Sequence, residues 1–188
     1  MSSFLREKID FAAHNAEVQR VMAAYEARKP YRVPVVIGGS ITNYFLNPDL
    51  NTRGWSFRNY FEDPQVQIQA QLEYQRWQAF NLYCDRSMGL PEKGWQIGVD
   101  FQNCYDAGWM GCPFIYIDGQ TPDTEPILHD NKEKLHDLPA QLDPMHGLMR
   151  RAAEFYEAML EASRRMEFEG RPVLPPIWMT GEGTDGPL

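Results

Sequence analysis

Paired cysteines are missing from this chain. Its three cysteines, Cys84, Cys104 and Cys112, show no CxxC spacing and are odd in number, which favours reduced thiols over a disulfide framework. Histidine is sparse too. His14, His129, His136 and His146 form no HxxxH or HxH pair, so no metal site is expected from this chain alone. Basic charge is in deficit: 18 Lys and Arg against 26 Asp and Glu leave a net charge of -8 at pH 7. Without a basic stripe to neutralise phosphates, nucleic acid is not an expected partner. No apolar run approaches a bilayer span, and the N-terminus lacks the basic-then-apolar order of a signal peptide. The expectations are no membrane partner and a cytoplasmic location. Internal repeats and low-complexity tracts are also absent.

What is present suits a folded domain. Of the 188 residues, 43% are apolar and 13% aromatic, enough for one core and well above the range of disordered chains. Residues 1–188 are read as a single domain: an N-terminal helix over 1–30, then strands alternating with crossover helices over 31–188.

Leu5, Ile9, Ala12 and Ala16 recur at three- and four-residue spacing, predicting a helix from Ser3 to about Arg28, ended by Pro30. Arg32–Ile37 (RVPVVI) is β-branched and reads as a first strand, closed by Gly38-Gly39-Ser40. Ser56 can cap a short helix, Phe57–Phe61. Asp63-Pro64 has the chemistry to start a long helix reaching about Met88. Trp95–Phe101 and Cys112–Ile117 are two short apolar runs bounded by glycine, around the polar and aromatic patch Asn103–Gly111 with Asp106 in its middle. Asp118–Asp143, rich in Pro, Asp, Thr and Gly, reads as a lid segment with one short helix, Asn131–Leu138. Met145–Glu169 has the clearest helical stripe, Leu148, Ala152, Phe155, Met159 and Met166, with Gly170 as its stop. Val173–Met179 reads as a third strand, and Thr180–Leu188 as a glycine-rich loop.

Strands separated by helical crossovers point to an α/β protein with parallel strands: a doubly wound sheet or a (β/α)₈ barrel. In both, ligands sit beyond the C-terminal strand ends. Gly38–Asn43, Gln102–Trp109 and Thr180–Gly186 occupy those places. The expected fold is the N-terminal part of a TIM barrel stopping after its third strand, with open edges through which two copies would associate as a homodimer. Asp106 is the candidate site acid, although Asp followed by Ala-Gly is equally ordinary turn chemistry. Gly38, Gly39, Asn43, Tyr44, Tyr105, Trp109 and Glu182 are candidates to line a small-molecule site. Aromatics at this density serve equally well as core.

RVPVVIGGSITNYFLNPDLN, SFRNYFEDPQVQIQAQLEYQRW and VDFQNCYDAGWMGCPFIYIDG together resemble the N-terminal half of the uroporphyrinogen decarboxylase superfamily. That group holds the heme-pathway decarboxylase and cobalamin-dependent methyltransferases, all (β/α)₈ barrels. GEGTDGPL is similar to the family's glycine–proline loop after the third strand. The resemblance places Asp106, in CYDAG, at the catalytic aspartate that hydrogen-bonds pyrrole NH groups of a tetrapyrrole substrate. It does not extend to the arginine motif after the first strand, where this chain has Gly38-Gly39-Ser40-Ile41-Thr42-Asn43 and no basic residue before Arg53. A polycarboxylate substrate needs such groups, so the resemblance favours the methyltransferase branch. It implies zinc and a corrinoid as cofactors, with no ligand to either inside this chain. The alternatives are authentic uroporphyrinogen decarboxylation and an inactive binding or oligomerising module.

Overall fold

The computed structural model describes residues 8–137 and 143–178. Three of its helices begin where a side chain satisfies the first free backbone N–H groups. Helix α1, Phe11–Glu26, starts on Asp10, whose carboxylate accepts from the N–H groups of Ala12 and Ala13. Asn15 on α1 bonds both the N–H (2.8 Å) and the carbonyl (2.9 Å) of Met88, which docks the helix onto the segment around that residue. A single turn, α2 (Thr42–Phe45), precedes α3, Phe57–Glu62, which opens on a capping box between Ser56 and Asn59. Helix α4, Pro64–Asn81, follows at once, with Asp63 as its cap and Pro64 in its first turn. After strand β1 (Gly98–Val99) come the short helix α5, Tyr105–Trp109, and an antiparallel hairpin of β2 (Phe114–Ile115) with β3 (Asp123–Thr124). A 3₁₀ segment, Lys132–Asp137, precedes α6, Leu148–Ser163. The described chain ends with a second hairpin, β4 (Glu167–Phe168) with β5 (Arg171–Pro172), and with β6, Ile177–Trp178.

The core gathers around β1. Ile97, Val99 and Phe101 are each no more than 1% exposed. They pack with Ile68 and Leu72 of α4 and with Ala152, Phe155 and Met159 of α6. Burying each large apolar side chain contributes about 1.5–3 kcal/mol.

The two edges of this central strand are satisfied differently. On one, β1 pairs in parallel with β6, Gly98 opposite Ile177, and the pairing extends back through a bridge between Trp95 and Val173. On the other, side chains of α4 stand in for a strand. Gln67 accepts from the Asp100 N–H at 2.9 Å and donates to its carbonyl at 2.7 Å. Gln71 treats Gly98 the same way, at 3.0 and 2.7 Å, and Gln75 donates to the Gln96 carbonyl at 2.7 Å. Glutamines four apart share one helix face, and alternate strand residues point their backbone groups to the same side. The two periods meet as a ladder.

This arrangement overturns the barrel. Among the described residues every strand is two residues long, the strands form three separate two-stranded pairs, and no barrel closes. The expected first strand, Arg32–Ile37, belongs to no sheet. The N–H of Val35 donates to Asp85 Oδ2 at 2.6 Å and its carbonyl accepts from the Asp85 N–H at 2.7 Å, while Arg32 grips the same carboxylate through two bonds of 2.6 Å. Val33, Val35, Val36 and Ile37 are left exposed. β-Branched residues favour extended backbone, but the edge of β1 that could receive another strand is occupied by glutamine. Of the expected third strand, Val173 and Ile177–Trp178 do pair beside β1, and Met179 lies outside the described residues. Helices form within the expected spans 3–28, 63–88 and 145–169 but are shorter over the described residues, and Ser3–Glu7 lie outside them. Among the described residues no helix is long and apolar enough to cross a membrane.

The Arg32–Asp85 pair carries a pH prediction. Arg32, and then the Val35 N–H, hold the Asp85 carboxyl at about 2, below the ordinary 3.8. Its stabilising contribution is therefore complete above the ordinary value and lost as pH falls through about 2. Urea midpoints measured between about pH 5 and pH 2 are expected to fall steeply for the parent protein. Asp85→Asn is expected to start lower and fall less. Parallel curves would show that the pair does not drive acid unfolding.

Candidate functional site

The C-terminal end of β1 opens into the loop Asp100–Cys104. Asp100 bends back on it: its Oδ1 accepts from the Gln102 N–H at 2.9 Å, an Asx-type turn. The Gln102 side-chain amide adds bonds of 3.0 and 2.8 Å to the two carboxylate oxygens, and Tyr60 Oη donates to Oδ2 at 2.9 Å. To close this loop Gln102 takes φ 55°, a left-handed conformation uncommon for a residue with a Cβ. Gln71 Nε2 reaches Tyr60 Oη at 3.0 Å, so α4, α3 and the strand end share one polar network, Gln71–Tyr60–Asp100–Gln102.

Burial pushes the Asp100 carboxyl above its ordinary value, against the opposing pull of the Gln102 N–H, Tyr60 and the Gln102 amide. Tyr60, wholly buried, is pushed up by desolvation and then by the charge of Asp100. A carboxyl raised in this way holds its proton nearer neutrality than an exposed one, a property of acid–base groups and of some purely structural networks.

The residues singled out from sequence fall into two groups. Gly39, Asn43 and Tyr44 lie against α4. A Cβ on Gly39 would meet the Tyr74 hydroxyl, and Asn43 Nδ2 donates to that same oxygen at 3.2 Å. Tyr44, 1% exposed, donates to Glu73 Oε2 at 2.6 Å, and Glu73 Oε1 accepts from Arg53 at 3.0 Å and Gln69 at 2.9 Å. Gly38 is exposed, with open space where a Cβ would be.

The second group sits on α5. Tyr105 is buried and braces the strand end, donating to the Val99 carbonyl at 2.9 Å and accepting from the Phe101 N–H at 3.3 Å. Trp109 Nε1 donates to the Asp143 carbonyl at 2.9 Å. Asp106 is exposed in the first turn of α5, and its carboxylate takes no hydrogen bond or ion pair among the described residues. No hydrogen bond, ion pair or ring contact joins a described member of one group directly to a member of the other. Glu182 and the Thr180–Gly186 loop lie outside the described residues.

Asp100 reads from sequence as a residue capping a neighbouring loop, and the structure adds a polar network behind it. Tyr60, Gln67, Gln71 and Glu73 carry no sequence motif. The signal that could have found three of the ladder's members is the spacing of Gln67, Gln71 and Gln75, four residues apart among apolar positions of α4. Cys84 and Cys104 are buried thiols and Cys112 is half-buried. Among the described residues no cluster of three or more His, Cys, Asp or Glu could hold a metal ion. In comparisons with known proteins, no family model, no curated protein and no solved structure matched this chain.

Proposed function

We propose that this chain is a uroporphyrinogen decarboxylase-like protein acting in corrinoid-dependent methyl transfer, with tetrapyrrole decarboxylation as the alternative activity. The observation that carries the reading is the Asp100–Cys104 loop. It sets a carboxyl of raised pKa, held in a polar network, at the end of β1 and six residues before Asp106. Exposed Asp106, six residues on, is the acid that can touch a ligand; Asp100 positions the loop that leads to it. The zinc and corrinoid of this reading find no cluster of ligands among the described residues, so no step is assigned to them.

Two reactions test the reading. Methylcobalamin with zinc and 2-mercaptoethanol is followed by visible absorbance, and uroporphyrinogen by loss of carboxylates in mass spectrometry. Turnover in either is expected to disappear in Asp106→Asn with stability unchanged within about 0.5 kcal/mol, because the side chain is exposed and unbonded. Absence of turnover and of binding to both compounds would sink the reading.

A second reading, a binding module without turnover that self-associates, is favoured by the exposed apolar segment Val33–Ile37. The backbone groups of Val36 and Ile37 make no hydrogen bond among the described residues. A concentration-dependent dimer in sedimentation velocity supports it, and a monomer at all concentrations rejects it.

A further inference from the structure

Between the start of α3 and the hairpin segment 116–120 lies a cavity of about 360 Å³. This volume is near the lower end for small-molecule sites, room for a ligand of one or two rings. Four of its eleven lining residues are aromatic. Phe45 and Phe57 lie with ring centroids 4.5 Å apart, and Trp55 and Tyr116 also face the cavity. The guanidinium of Arg58, which also lines the cavity, rests on the Tyr116 ring 4.4 Å from its centroid. A guanidinium over a ring face still has N–H groups to offer an acceptor.

We propose that this cavity is a binding site for a flat aromatic monocarboxylate, its ring against Phe45, Phe57 and Trp55 and its carboxylate on Arg58. Arg58 already has one partner, Glu62 at 3.3 Å, but both side chains are at least half exposed. Exposed pairs on one helix contribute little, and a bidentate carboxylate satisfies the fork better than a single long contact. Asp118, on the turn closed by the Gln120 N–H to the Ile117 carbonyl at 3.1 Å, also lines the cavity. Its charge limits the ligand to one negative charge and disfavours phosphate esters and dicarboxylates. The site shares no lining residue with the Asp100 network, so it stands or falls independently of the proposed activity.

Calorimetric titration with 2-naphthoate and its neutral isostere 2-naphthamide tests the proposal. The acid is expected to bind about tenfold tighter than the amide, the worth of one charge-assisted contact. Raising the salt concentration should shrink that preference. Arg58→Gln is expected to abolish the preference while leaving amide binding and the melting temperature in place, since Arg58 is exposed on α3. Arg58→Lys, which keeps the charge but loses the fork, should retain part of it. Equal affinity for both probes, no binding of either, or an undiminished preference in Arg58→Gln would overturn the proposal.

Discussion

Gln67→Ala is expected to destabilise the protein by about 3–5 kcal/mol, a large effect for a helix residue that carries no charge. Gln67 is 0% exposed, and its amide holds the N–H and carbonyl of Asp100 and the carbonyl of Tyr60. Removing it strands these groups away from water, at about 1–3 kcal/mol for each one left unsatisfied. Urea denaturation followed by tryptophan emission measures the loss. Two companions identify its cause. Gln67→Met keeps the volume and loses the bonds, so it should cost nearly as much as alanine. Gln65→Ala, exposed on the same helix, should stay within about 0.5 kcal/mol of the parent. If methionine is tolerated, the residue is filling space and the ladder is not what holds α4 to β1.

Gly147→Ala is the second large effect expected, about 3 kcal/mol or more. Gly147 has φ 51° and ψ -125° and stands at the N-terminal cap of α6. A Cβ there would run into the Gly108 carbonyl oxygen and lie 3.0 Å from that of Trp109. From the other side, a Cβ on Gly108 would be 2.8 Å from Leu148 Cβ. Helices α5 and α6 thus meet backbone to backbone, and neither glycine has room for a methyl group. Gly170 also has a positive φ, 70°, but with nothing within 4 Å of its Cβ position, so Gly170→Ala should cost only about 1 kcal/mol. Thermal melts of the two variants separate crowding from conformational strain. Comparable losses would mean that the helices can move apart.

The contrast between these sites shows where sequence reasoning succeeds. Ser56, Asp63-Pro64 and the Leu148–Met159 stripe signal helices through interactions within a few residues of one another, and α3, α4 and α6 form there. Arg32–Ile37 marks the limit. Its composition specifies extended backbone, but whether that backbone joins a sheet depends on an edge some sixty residues away, which α4 had already taken. Glutamines inside a helix read as solvent-facing until the strand opposite them is known. The candidate site divides in the same way. Asp106 stands out in sequence because it is alone in a polar loop, and it is as isolated in the structure. The network around Asp100 is invisible in sequence because Tyr60, Gln71 and Asp100 come from three separate elements.

The glutamine ladder also bears on how this molecule opens. The amide protons of Gly98 and Asp100 are held by side chains of α4, so neither can exchange with solvent while the helix stays docked. Helix and strand therefore unfold as one cooperative unit, although they belong to different kinds of secondary structure. The β6 side of the same strand can fray without releasing them. Because the clasp is made of neutral amides, its grip does not loosen with acid or salt.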